Sequence, residues 1–192
     1  MKKIIVTGLF FLLSTSCFAS INPENQYFFG AGVNINPLGI GNAQFIMVEE
    51  SGFGYYGSFS TSGSERNDDN YYPKTSRVTV EQVFQDTYKG TVSEHSVFSV
   101  GIAYLFSNFL GTIGISHSTT TEYLQYYDAL EILGEKGKYF INHKETSGIG
   151  LDIGIGYTIE NWLIYGKYET STSLISAGLG YNIVDDLLKK IK

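Results

Sequence analysis

From residue 27 onward the chain alternates with period two, and its two faces differ in kind: one carries large apolar side chains, the other Gly, Ser or Asn. The pattern is cleanest over 148–158, where Ile149, Leu151, Ile153, Ile155 and Tyr157 oppose Gly148, Gly150, Asp152, Gly154, Gly156 and Thr158. It recurs in 27–36, with Phe29, Ala31 and Val33 opposite Gly30, Gly32 and Asn34, and in 96–106 and 175–183. Read between turn signals, it predicts eight strands near 27–36, 42–50, 53–62, 95–106, 109–119, 145–159, 162–171 and 174–183.

A barrel that is soluble in water must fill its interior with the apolar face and present charges outside. Here the second face is glycine and small polar residues, which suits a crowded lumen, so the apolar face is the one expected to meet lipid. The fold class predicted is all-β, an eight-stranded antiparallel transmembrane β-barrel. Tyr27, Tyr104, Tyr157, Trp162 and Tyr181 fall near strand ends on one side, at the depth where an aromatic ring keeps one wet and one dry edge.

The connections Glu50-Ser51-Gly52, Ser107-Asn108 and Glu160-Asn161 are tight, whereas 63–94 and 120–144 are long and polar. That asymmetry is the outer-membrane arrangement, with tight turns and termini periplasmic and the two long loops extracellular. Pro37 to Gly41 and Thr172-Ser173 are expected as short connections on the long-loop side. Residues 77–84 also alternate, and Asp86 to Gly90 is read as a turn leading back into 91–96, giving a hairpin above the membrane. Counting that hairpin into the barrel gives a ten-stranded alternative, which would move the 120–144 loop to the periplasm.

The amino terminus changes the picture of location. Met1-Lys2-Lys3, the apolar run Ile4 to Leu13 and the small-residue stretch Ser14 to Ser20 have the parts of a secretory signal peptide, expected to occupy 1–19. The run is too short for a transmembrane helix, which needs about 20 residues. The barrel domain is then 20–183. Residues 184–192 read as a short amphipathic periplasmic tail: Val184, Leu187, Leu188 and Ile191 recur at helical spacing, with aspartates first and lysines last. Cys17 is the sole cysteine and precedes the expected cleavage point, so the mature chain offers neither disulfide nor thiol nucleophile; a lipoprotein signal at Cys17 is disfavoured by Ser14-Thr15-Ser16 before it. A net charge of −6 with 13 Lys and Arg speaks against nucleic acid as a partner. No metal or cofactor is called for.

Through this strand grammar, over residues 27–183, the chain resembles the small outer-membrane β-barrel and opacity-type surface protein families. Members usually end on an aromatic residue of the last strand; Leu179 to Ile183 looks like that strand, but nine residues follow it. The resemblance implies a bacterial outer-membrane location in contact with outer-membrane lipids.

Three constellations carry candidate chemistry. Ser116-His117-Ser118 suggests a nucleophile and base, as in lipid A acyl hydrolases or transferases, but in a strand His117 points away from both serines. His95, His117 and His143 gather on the extracellular side of adjacent strands as a speculative rim cluster; solvated rim histidines are the plainer reading. Asp152, Lys167 and Glu169 share lumenal parity, and a hairpin centred on Asn161 would set Asp152 opposite residues near 169–170, with Lys167 a diagonal neighbour bridging two acids. A lysine at the lipid midplane would cost about 2–4 kcal/mol, so the shared parity itself marks the lumen. The loops hold Tyr71, Tyr72, Tyr88, Tyr123, Tyr126, Tyr127 and Tyr139, suited either to protein or glycan contact or to packing the loops on one another. The leading reading is a non-enzymatic surface protein whose loops serve adhesion, host contact or envelope integrity. An outer-membrane lipid-modifying enzyme and a soluble periplasmic ligand-binding barrel compete with it.

Overall fold

Strand β1 (Gln26–Asn36) pairs with β2 (Leu38–Val48) on one side and with β9 (Leu174–Asn182) on the other, and this double pairing closes the sheet. A computed structural model describes residues 25–36, 38–62, 71–72, 87–131 and 137–183. Around the ring follow β3 (Phe53–Thr61), β5 (Thr87–Phe106), β6 (Phe109–Tyr127), β7 (Lys138–Ile159) and β8 (Trp162–Glu169), every neighbour antiparallel. The result is an eight-stranded closed barrel, not a ten-stranded one. A two-residue strand, β4 (Tyr71–Tyr72), lies parallel against Phe140 and Ile141 of β7. The expected segments 1–19, 77–84 and 184–192 lie outside the described residues.

Closure leaves no unpaired sheet edge in the spanning part, which is what lets a sheet exist in hydrocarbon at all. The outward face is apolar: along β7, Ile149, Leu151, Ile153, Ile155, Tyr157 and Ile159 are all exposed. Ten strand steps at about 3.3 Å, tilted about 40°, make a band about 25 Å tall, the height of a bilayer core. Phe53–Tyr104, Phe109–Tyr157 and Trp162–Tyr181 form ring pairs 4.7, 5.0 and 4.9 Å apart on adjacent strands, an aromatic belt at the turn end. Tyr27, expected in that belt, is buried instead. The soluble-barrel reading required a charged outside and an apolar cavity; the apolar outer face overturns it.

The lumen is layered. At the turn end Phe28, Ile46, Val48, Ala103, Leu110 and Leu163 form an apolar plug, roofed by Tyr56 and Tyr165. Inward glycines make room for those two rings: a Cβ on Gly114 would sit 2.6 Å from the Tyr56 hydroxyl and closer still to the Val100 carbonyl, and one on Gly178 would sit 2.5 Å from the Tyr165 hydroxyl. In the tight turn at Glu49–Gly52, Gly52 adopts a φ of 85°, and a Cβ there would press within 2.6 Å of the Leu105 carbonyl.

Three strands overrun the sequence reading. The stretch of β5 held against β3 ends at Ser96, yet β5 begins at Thr87; β6 runs on to Tyr127 and β7 starts at Lys138. The parts 87–94, 120–127 and 138–144 of the expected loops are therefore a three-stranded flap standing beyond the barrel mouth. The expected turn at Asp86 to Gly90 is corrected in the same way: Thr87 and Tyr88 pair with Tyr127 and Tyr126, and Gly90 with Gln125. Two β-bulges explain why the pattern was hidden. The register slips between Tyr88 and Gly90 on β5, and beside His143 on β7, and each extra residue flips the parity beyond it, so period two breaks within one strand. The expected Pro37–Gly41 connection is likewise strand from Leu38, with the register slipping at Gly41, whose φ is 141°.

Candidate functional site

Above the apolar plug the lumen turns polar. Asp152 on β7 faces Glu169 in register and Gly154 faces Lys167, which sets Lys167 diagonally beside Asp152. Lys167 Nζ lies 3.0 Å from Asp152 Oδ2 and donates to Ser58 Oγ at 2.6 Å. The Asp152 carboxylate also accepts from Tyr56 Oη at 3.0 Å and from Ser99 Oγ at 2.8 Å. Both charged side chains are buried, and four strands supply the network: β3, β5, β7 and β8. Every ionised atom has hydrogen-bond partners, the condition under which a buried pair is tolerated. Beside it, Tyr165 Oη donates to Asn42 Oδ1 at 2.6 Å and Asn42 donates on to Ser60. A void lined by Gln44, Thr112, Tyr165 and Lys167 measures about 10 Å³, space for about one water.

Glu169 has a different task from the one its parity suggested. Its carboxylate accepts backbone N–H bonds from Ser171 and Thr172, both at 2.9 Å, and hydroxyl bonds from Ser116, Ser171 and Thr172. It thus pins the β8–β9 turn to the wall of the mouth, while Lys167 spends its bonds on Asp152 and Ser58. The signal for this role was in the sequence, since Glu169-Thr170-Ser171-Thr172 places hydroxyl and amide donors two and three residues beyond a carboxylate.

The three histidines do not share a face. His95 points into the mouth with Nδ1 2.8 Å from Thr120 Oγ1, and its backbone is bonded to Ser62; burial holds its pKa below the usual imidazole value, opposed by the negative charge of Glu169. His117 is exposed on the outside, paired across the sheet with Phe98 and Ile149. His143 occupies the bulge of β7, half-buried, with Nδ1 lacking a hydrogen-bond partner. Among the described residues no group of three or more His, Cys, Asp or Glu is placed to hold a metal ion. Ser116 and Ser118 are buried on the lumenal face while His117 points away, so the Ser-His-Ser triplet is split between lumen and exterior.

The flap is built on aromatic rings. Tyr88, Tyr126 and Tyr139 lie in register on β5, β6 and β7, with ring centroids 5.7 and 5.6 Å apart. Tyr126 and Tyr139 are buried with Leu124 and Ile141 in a second, smaller core. This is the packing alternative for the loop tyrosines, and Tyr123 joins it as a buried residue, with its hydroxyl on Glu94 at 3.0 Å. At the tip the rings are not packed away: Tyr88, Tyr127 and Leu130 are exposed, and Lys89 Nζ stands 5.6 Å above the Tyr127 ring. For Tyr71 and Tyr72 only the backbone pairing with β7 is described.

No protein-family model matches the sequence, and no curated protein matches it. Solved structures to which the chain is similar include Ail, the attachment invasion locus protein of Yersinia pestis, at 15% identity and a TM-score of 0.37, over 82% of this chain and 93% of that one. A second Ail structure, at a TM-score of 0.41, is in complex with the heparin analogue sucrose octasulfate. A major outer membrane protein from Thermus thermophilus is similar at 12% identity and a TM-score of 0.41, over 82% of this chain and 98% of that one. Neisserial surface protein A is similar at 10% identity and a TM-score of 0.38, over 83% and 94%.

Proposed function

We propose that this chain is a non-enzymatic surface protein of a bacterial outer membrane, in which the barrel serves as an anchor and the β5–β6–β7 flap as the contact element. In this reading the tight turns and both termini face the periplasm and the flap stands outside the cell. The observation that carries it is the division of labour along the three longest strands. Their lower halves present an apolar lipid face, and their upper halves form a separately cored platform ending in exposed Tyr88, Tyr127 and Leu130. Large rigid rings lose little entropy on contact, which suits a protein or glycan partner. Among the described residues, Ser116 and Ser118 face the lumen and His117 the exterior, so this triplet does not present a nucleophile with its base to the lipid face.

The test is adhesion of cells displaying the chain to cultured epithelial cells. Cells displaying the Tyr88→Ser/Tyr127→Ser/Leu130→Ser variant should fall to the level of cells without the protein, while the variant still shifts on unheated gels. Unchanged adhesion by a correctly inserted variant would remove the tip from the function. Cleavage of the tip by protease in intact cells checks the orientation, and protection of the flap would reverse it.

A further inference from the structure

Gly111 is an outward-facing position of β6, set in register between Tyr104 of β5 and Ile155 of β7. The fold does not require a glycine there: a Cβ would meet no atom within 4 Å, and φ is not in the left-handed region. The lumenal glycines of the same sheet contrast with it, since a Cβ on Gly101 or Gly114 would clash with a neighbouring carbonyl oxygen. A glycine in a strand interior weakens it and often marks a bulge, a tight bend or a close approach of a ligand or another backbone; no register shift falls at Gly111, which leaves the last two. Above Gly111 the apolar band is interrupted by an open groove of about 470 Å³, walled by Ile102, Tyr104, Phe106, Phe109, Ile113 and Ile153.

We infer that this groove seats one acyl chain of a phospholipid from the bilayer leaflet at the turn end of the barrel. Three features select that occupant. The groove opens within the lipid-facing band and continues its surface, so hydrocarbon is the medium already against it. Its lining carries no charged side chain and two hydroxyls, those of Tyr104 and Thr112, so a carbohydrate or peptide would find most of its hydrogen-bonding groups unmet there. It also starts at the aromatic belt, beside Phe106, Phe109 and the Ser107–Asn108 turn, where headgroups lie, and climbs β6 toward Ile113. A flexible chain with its polar end at the belt follows that course. An unfilled notch of this size would forfeit dispersion contacts along both walls.

The experiment uses the full chain reconstituted with 1-palmitoyl-2-oleoyl phosphatidylglycerol, released into mild detergent and weighed by native mass spectrometry. Wild type should retain one lipid per barrel. Gly111→Leu, which fills the groove, should retain none, and Gly166→Leu, at an outward glycine outside the groove lining, should behave as wild type. Equal retention by all three overturns the inference. So does a dimer mass that Gly111→Leu converts to monomer, because the groove would then seat a second copy. If Gly111→Leu fails to shift on unheated gels, wild type decides alone. A spin label at mid-chain of a phosphatidylcholine should broaden the Ile113 methyl signals about twofold more than those of Leu179 across the barrel, as expected for a chain held in contact. Equal broadening overturns it.

Discussion

Lys167 Nζ and Asp152 Oδ2 meet at 3.0 Å inside the barrel, on neighbouring strands, with both side chains shielded from solvent. Replacing Lys167 by Met leaves the Asp152 carboxylate with hydroxyl donors alone. Removing one partner of a buried pair costs about 3–5 kcal/mol, whereas replacing both with neutral groups is often near neutral. We therefore expect Lys167→Met to lower the urea midpoint of the vesicle-inserted barrel markedly and Asp152→Asn/Lys167→Met to recover most of the loss. A Lys167→Met midpoint equal to wild type would show that the pair does not stabilise the fold.

Two glycines three residues apart on β6 should respond to the same substitution with opposite signs. Gly114→Ala drives a methyl against the Val100 carbonyl and the Tyr56 hydroxyl, an overpacking that costs about 1–3 kcal/mol. Gly111→Ala meets open space and should be neutral or stabilising by up to about 1 kcal/mol through lost unfolded-state freedom. Unfolding midpoints read by tryptophan fluorescence of Trp162 separate the two. Equal destabilisation would mean that the assignment of faces on β6 is wrong.

The face assignments themselves were legible in the sequence wherever the strand is unbroken. Asp152, Lys167 and Gly154 fall on the lumenal parity because a charged or absent side chain alternates with isoleucine or tyrosine. For Glu169 the local signal, hydroxyl and amide donors at Ser171 and Thr172 just after it, was present but outweighed by nearest-strand geometry, which favoured Lys167; the Ser116 donor comes from a strand that only the closed barrel brings near. The upper halves of β5, β6 and β7 were hidden for another reason. Beyond the mouth both faces carry Thr, Glu and Tyr, and the bulges at Lys89 and His143 invert the parity within one strand, so neither composition nor period two marks a strand there. A bulge needs long-range pairing to be seen.

Closure predicts behaviour in detergent. A sheet with all its backbone bonds satisfied between strands should resist dodecyl sulfate until heated, so unheated protein from the outer-membrane fraction should migrate differently from boiled protein. Recovery of the chain as a soluble monomer after cell-wall digestion would contradict the lipid-facing reading of the Ile149 to Ile159 row.

The layered lumen makes a stricter demand on ion flow. An ion entering from the flap side must pass the Asp152–Lys167 pair and then Tyr56 and Tyr165, which lie over the apolar plug of Phe28, Ile46, Val48, Leu110 and Leu163. Eight strands enclose an interior that side chains fill, and the void left beside Lys167 has room for about one water, too little for a hydrated ion. Wild-type barrels in a planar bilayer should therefore show no steady conductance. Opening the barrier requires both the plug and the ring layer to be cut back, so Tyr56→Ala alone should stay closed, because Leu110 and Leu163 still block the passage. Combining Tyr56→Ala, Tyr165→Ala, Leu110→Ala and Leu163→Ala should admit small, brief currents where the protein still inserts. Sustained large conductance from the wild-type monomer would mean that the lumen is wider than these side chains can fill.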